Sequence, residues 1–84
     1  MARRVYVKES AIAQFSKKCG ASSEMKNTVF SSIRALGEKP EELGYEIPFV
    51  KPPFYQMVVG EYRIHYVFDA DELTVLYMGI LGVC

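Results

Sequence analysis

The sequence predicts a small α+β domain in which a helical hairpin packs on one face of an antiparallel sheet, in the order β-α-α-β-β-β. Three observations carry this. Apolar residues alternate with a period of two near the start and through the second half of the chain. Between those regions they recur at helical spacing in two runs, punctuated by Gly20 and Gly37. With 84 residues, half of them hydrophobic, the chain can build one core and one domain spanning 1–84, and not two.

Each element has its own local reason. Across residues 3–8, Val5 and Val7 fall on one side and Arg4 and Tyr6 on the other, the pattern of a short strand. Ser10 is placed to cap a first helix, with Ile12, Phe15 and Cys19 on its apolar stripe and Gly20 ending it. A second helix begins near Ser22 or Ser23 and lines up Met25, Val29, Ile33 and Leu36, with Gly37 as its stop. Residues 38–53 hold all four prolines and the acidic cluster Glu41, Glu42 and Glu46. Leu43, Tyr45, Ile47 and Phe49 give this stretch apolar anchors, so it reads as an ordered connection. Three strands follow at 54–59, 61–68 and 73–80. Gly60-Glu61 forms a two-residue hairpin loop, and a longer turn covers 69–72.

Composition excludes several classes of function. Ten basic side chains balance ten acidic ones, so there is no net positive charge to argue for nucleic acid through counterion release. Cys19 and Cys84 form neither a disulfide framework nor part of a metal-ligand cluster, and nothing implies a cofactor. No apolar run has the length of a signal peptide or a membrane span, which gives a cytoplasmic protein with no membrane partner as the expectation.

The hairpin loop sets the register that matters. With Gly60-Glu61 in the turn, Val59 pairs with Tyr62, Val58 with Arg63 and Gln56 with His65. Tyr55, Met57, Val59, Tyr62, Ile64 and Tyr66 then share the face covered by helices. Gln56, Val58, Arg63, His65 and Val67 share the other. Pairing Phe68 with Leu73 adds Thr74, Leu76, Met78 and Ile80 to that second face and turns Tyr77 toward the core. The second face is mostly apolar with Arg63 and His65 near its centre. Nothing else in the chain covers it, so Val58, Val67, Leu76, Met78 and Ile80 are expected to contact a partner or a second copy.

The run Val59-Gly60-Glu61-Tyr62-Arg63-Ile64-His65-Tyr66-Val67-Phe68-Asp69, with its continuation Asp71-Glu72-Leu73-Thr74-Val75-Leu76, resembles the signature hairpin of the RelE/ParE toxins of bacterial toxin–antitoxin systems. The element order matches that family across nearly the whole chain, the helical part in pattern only. The resemblance implies a translational repressor that cleaves mRNA at the ribosome, as RelE-like members do. It equally leaves open a ParE-like toxin that acts by binding a protein. A third alternative is a toxin-fold module that binds only an antitoxin or itself. In each case the implied partner is a cognate antitoxin, joined in the first by the ribosome and mRNA.

Cleavage of mRNA needs a base for the 2′-hydroxyl, a cation over the phosphate and an acid for the leaving oxygen. The resemblance puts Arg63 at the position of the family's arginine, where a guanidinium can hold a phosphate bidentately. His65, two residues on and on the same face, has the intrinsic pKa for proton transfer and is read from this sequence, not from the family. Gln56 and Lys51 are the candidate substrate-binding residues. Gln56 and Val58 stand where RelE-like members often carry basic residues, and residues 78–84 hold no basic or acid–base side chain. An endoribonuclease with an incomplete catalytic set is therefore the expectation. Simpler roles stand beside these: Arg63 as a solvated or acid-paired strand residue, His65 as a structural one, and Tyr62, Tyr66 and Tyr77 as core packing.

Overall fold

The computed structural model describes residues 3–18, 22–48 and 54–79. Strand β1 (Arg4–Val7) leads into helix α1 (Glu9–Ala13), which continues as a π-helical turn over Gln14–Lys18. Helix α2 (Ser23–Leu36) and the one-turn helix α3 (Pro40–Leu43) follow, then β2 (Tyr45–Glu46), β3 (Tyr55–Val59), β4 (Tyr62–Phe68) and β5 (Glu72–Gly79). The strands form one sheet in the order β1-β5-β4-β3-β2.

The α+β class and the helices on one face are as expected, but the sheet is mixed. β1 runs parallel to β5, with Val5 beside Leu73 and Val7 beside Val75. The helices carry the chain from β1 at one edge of the sheet to β2 at the other, and the antiparallel reversals from β2 to β5 bring the last strand back beside β1 in the same direction. The two-residue strand β2, pairing Tyr45 with Gln56, was also unexpected.

The core forms where the two helix stripes meet the inner sheet face. Ala11, Phe15, Val29, Ile33 and Leu36 pack against Met57, Tyr62, Ile64, Tyr66, Leu73, Val75 and Met78. Phe15 is fully buried and meets Phe30 and Tyr62 edge to face, at centroid distances of 6.0 and 5.0 Å. Each such burial contributes about 1.5–3 kcal/mol.

Several local expectations change. Helix α1 begins one residue before Ser10, and Lys8 in the N-cap position makes no side-chain cap. Its buried residue is Ala11, with buried Phe15 four residues on in the π-helical turn, while Ile12 is exposed. The cap of α2 is as expected, with the Ser22 hydroxyl accepting from Met25 N at 3.1 Å. Gly37 ends α2 in ordinary right-handed conformation. Glycine is favoured there by the close approach of β1: a Cβ would lie 3.0 Å from Val5 Cγ2 and 3.2 Å from Arg3 O.

In the proline-rich stretch the anchor is not Leu43 or Tyr45, both of which are exposed. It is Tyr66, whose buried hydroxyl donates to the Pro40 carbonyl at 2.5 Å. Gly44 allows this approach, because a Cβ there would overlap Tyr66 Oη and sit 2.8 Å from Gln56 O. Cys19, Phe49, Lys51, Ile80 and Cys84 lie outside the described residues.

Candidate functional site

The β3–β4 hairpin has the register its loop dictates: Val59 opposite Tyr62, Val58 opposite Arg63 and Gln56 opposite His65. Gly60 adopts φ +60°, the left-handed conformation that a glycine in first place of a two-residue hairpin supplies. Phe68 pairs with Leu73, and the Asp69 carboxylate secures the following turn by accepting from the N–H groups of Asp71 and Glu72, each at 2.8 Å. Those two bonds hold the Asp69 carboxyl below the usual carboxylate range.

Beyond that turn the expected register fails. Tyr66 pairs with Val75 but His65 pairs with Tyr77, so Leu76 is an extra residue and β5 bulges. The bulge reverses the alternation of everything after it. Met78, expected on the outer face as part of a partner interface, is fully buried in the core. Tyr77, expected in the core, stands beside His65 with ring centroids 5.0 Å apart.

The outer face thus presents an aromatic tier that alternation alone did not reveal. His65 lies between Phe54, at 4.7 Å, and Tyr77. On the neighbouring strand Gln56 is only 7% exposed. Its amide nitrogen donates to Tyr45 Oη at 2.5 Å, and its carbonyl oxygen faces His65 Nε2 at 2.9 Å. Both ends of the side chain are therefore engaged within the protein. Partial burial, with Arg63 nearby as the lesser cause, pushes the imidazole pKa down from 6.5 and keeps His65 neutral at pH 7.

Arg63 and His65 come together on this face as expected, two residues apart on β4 and both partly exposed. Val58 is exposed, and Val67 and Leu76 are partly so. Phe54, Tyr45 and Tyr77 were missed as site residues. Tyr45 sits among prolines without a periodic signal, and Tyr77 was displaced by the bulge. Among the described residues no cluster of His, Cys, Asp and Glu could hold a metal ion, and no helix is long and apolar enough to cross a membrane.

A mixed sheet with a helical layer on one face and an arginine-bearing hairpin at its centre has the fold of the RelE toxins. The archaeal RelE–RelB complex from Pyrococcus horikoshii OT3 contains a chain that matches this one over 100% of both, with TM-score 0.76 at 14% identity. The E. coli toxin RelE, in the free state and with two arginines replaced by alanine, matches with TM-score 0.74 at 20% identity, covering 98% of this chain and 86% of its own. No family model and no curated protein sequence matches the chain.

Proposed function

We propose that the protein is the RelE-like toxin of a toxin–antitoxin pair and represses translation by cleaving mRNA at the ribosome. The observation that carries this reading is the pairing of Arg63 with a neutral, ring-bracketed His65 on the sheet face opposite the helices. A neutral imidazole can take a proton at pH 7, and a guanidinium can hold the phosphate that the resulting oxyanion attacks.

In the reaction His65 removes the proton of a 2′-hydroxyl. The 2′-oxygen bonds to the adjacent phosphorus while Arg63 balances the growing charge. The bond from phosphorus to the 5′-oxygen breaks, and that oxygen takes a proton from water. The products are a 2′,3′-cyclic phosphate and a free 5′-hydroxyl. Phe54 and Tyr77 offer ring faces on which a base can stack. Lys51 stands as a further substrate contact.

The antitoxin is the second partner, supported by the RelE–RelB pairing of one structure of the same fold. It would cover Val58, with Val67 and Leu76 beside it, and would displace any pairing of two copies through this face.

A ParE-like, protein-binding toxin is the competing reading, favoured by the zero net charge and by the engagement of both ends of Gln56 within the protein. Induced expression of the native chain and of Arg63→Ala separates the two when mRNA 5′ ends are mapped in the same cultures. Growth arrest with new mRNA ends, both lost in Arg63→Ala, is the expected result. Arrest without new ends gives the protein-binding reading. No arrest from soluble, folded protein leaves a module that binds only its antitoxin or itself.

A further inference from the structure

Tyrosine hydroxyls aside, Gln56 is the one buried polar side chain among the described residues, and the reading above gives it no part in the chemistry. Its position is unusual. Strand β3 places its carboxamide between a tyrosine of the short edge strand β2 and the histidine of β4, in a hydrogen-bonded row across three strands. We propose that Tyr45 and Gln56 are positioning residues for His65: the Gln56 carbonyl oxygen holds Nε2 protonated, leaving Nδ1 as the lone pair that takes the proton, and the Tyr45 hydroxyl holds the carboxamide in that orientation.

The chemistry of the row supports this assignment. A neutral imidazole has one donor and one acceptor nitrogen, and the partner of one nitrogen decides the role of the other. A carbonyl oxygen can only accept, so Nε2 must donate. The amide nitrogen of Gln56 can only donate, and Tyr45 Oη is there to accept at 2.5 Å. Burial of Gln56 makes this arrangement stiff, since a carboxamide with one end unsatisfied away from water costs free energy. Phe54 and Tyr77 restrain the ring on its two faces, and the row fixes which edge of the ring meets which strand. Arg63 is the charged group of this environment among the described residues. It disfavours protonation of the ring and so acts in the same direction.

The proposal deepens the ribonucleolytic reading and rests on it for its consequence, but the tautomer itself can be measured without any activity. His65 is the only histidine in the chain, so its ring nitrogens can be assigned in the full-length protein by long-range 1H–15N correlation spectroscopy. The native protein should show Nε2 protonated and Nδ1 bare at neutral pH. Gln56→Glu keeps an acceptor in place, so it should retain that tautomer while raising the His65 pKa. Gln56→Met, which removes the acceptor, and Tyr45→Phe, which releases the carboxamide, should each give a mixture of tautomers in folded protein. On mRNA-programmed ribosomes both should lower kcat by about tenfold or more with KM little changed, the loss expected when a base is present but misdirected. A native spectrum with Nδ1 protonated overturns the proposal whatever the activity, and so does an unchanged tautomer in folded Gln56→Met. The expected tautomer behaviour in a protein that cleaves no RNA upholds the positioning and removes the ribonucleolytic reading instead.

Discussion

His65 carries the acid side of this protein's stability at residue scale. Its pKa lies below the usual 6.5 because burial penalises the charged ring, so the unfolded chain binds a proton more readily than the folded one. Its contribution is complete above about pH 6.5 and declines as pH falls through the lowered value. Chemical denaturation between about pH 8 and pH 5 should show stability falling on acidification, with a shallower fall in His65→Gln. Equal slopes in the two proteins would remove this account. Tyr66 carries the alkaline side. Burial and the neighbouring Tyr55 push its pKa from 10.0 to about 12. The folded state therefore holds the phenol proton more tightly, and this contribution is complete below about pH 10 and lost as pH rises toward 12. Tyr66→Phe deletes the bond to the Pro40 carbonyl, costs about 1 kcal/mol at neutral pH, and should flatten stability against pH between 10 and 12.

At the scale of elements the bulge in β5 decides which side chains face the site. Met78 is fully buried while Val58, also expected on the outer face, is about half exposed. Met78→Ala should therefore destabilise the fold by about 2–5 kcal/mol, and Val58→Ala by roughly 0.5 kcal/mol or less. Urea midpoints of the two variants measure the contrast, and similar small effects would restore the unbroken alternation.

The same strands show how far the sequence could be followed. The β3–β4 register was legible because Gly60-Glu61 leaves a hairpin one way to pair, and with it the placement of Arg63 and His65 together. The pairing of Phe68 with Leu73 was legible too. The bulge was not, since the extra residue is a leucine with no glycine to mark it, and it took Met78 and Tyr77 with it. Strand β2 has two residues and therefore no period. The parallel pairing of β1 depends on a contact about seventy residues away, and no local pattern near Val5 encodes it. Tyr45 and Phe54, which flank the site, belong to the non-periodic part of the chain.

On the scale of the whole molecule, charge limits how RNA can be recognised. Ten cations balance ten anions. Among the described residues of the outer face, Arg63 is the central cation, and Arg4 at the margin lies 3.7 Å from Glu72. A surface of this kind neutralises few phosphates. Each contact to single-stranded nucleic acid contributes about 0.7 to the slope of log affinity against log salt, so a slope of magnitude about 2 or less is expected for free RNA. Binding to an isolated single-stranded RNA, titrated across salt concentration, should accordingly be weak and only mildly salt-dependent. Cleavage, where it occurs, then has to draw its affinity from a surface other than the RNA backbone, which is the physical reason to look for it on ribosomes rather than on free message. A slope of magnitude about 4 or more would require several further phosphate contacts than this face provides, and would place RNA binding on another surface of the protein.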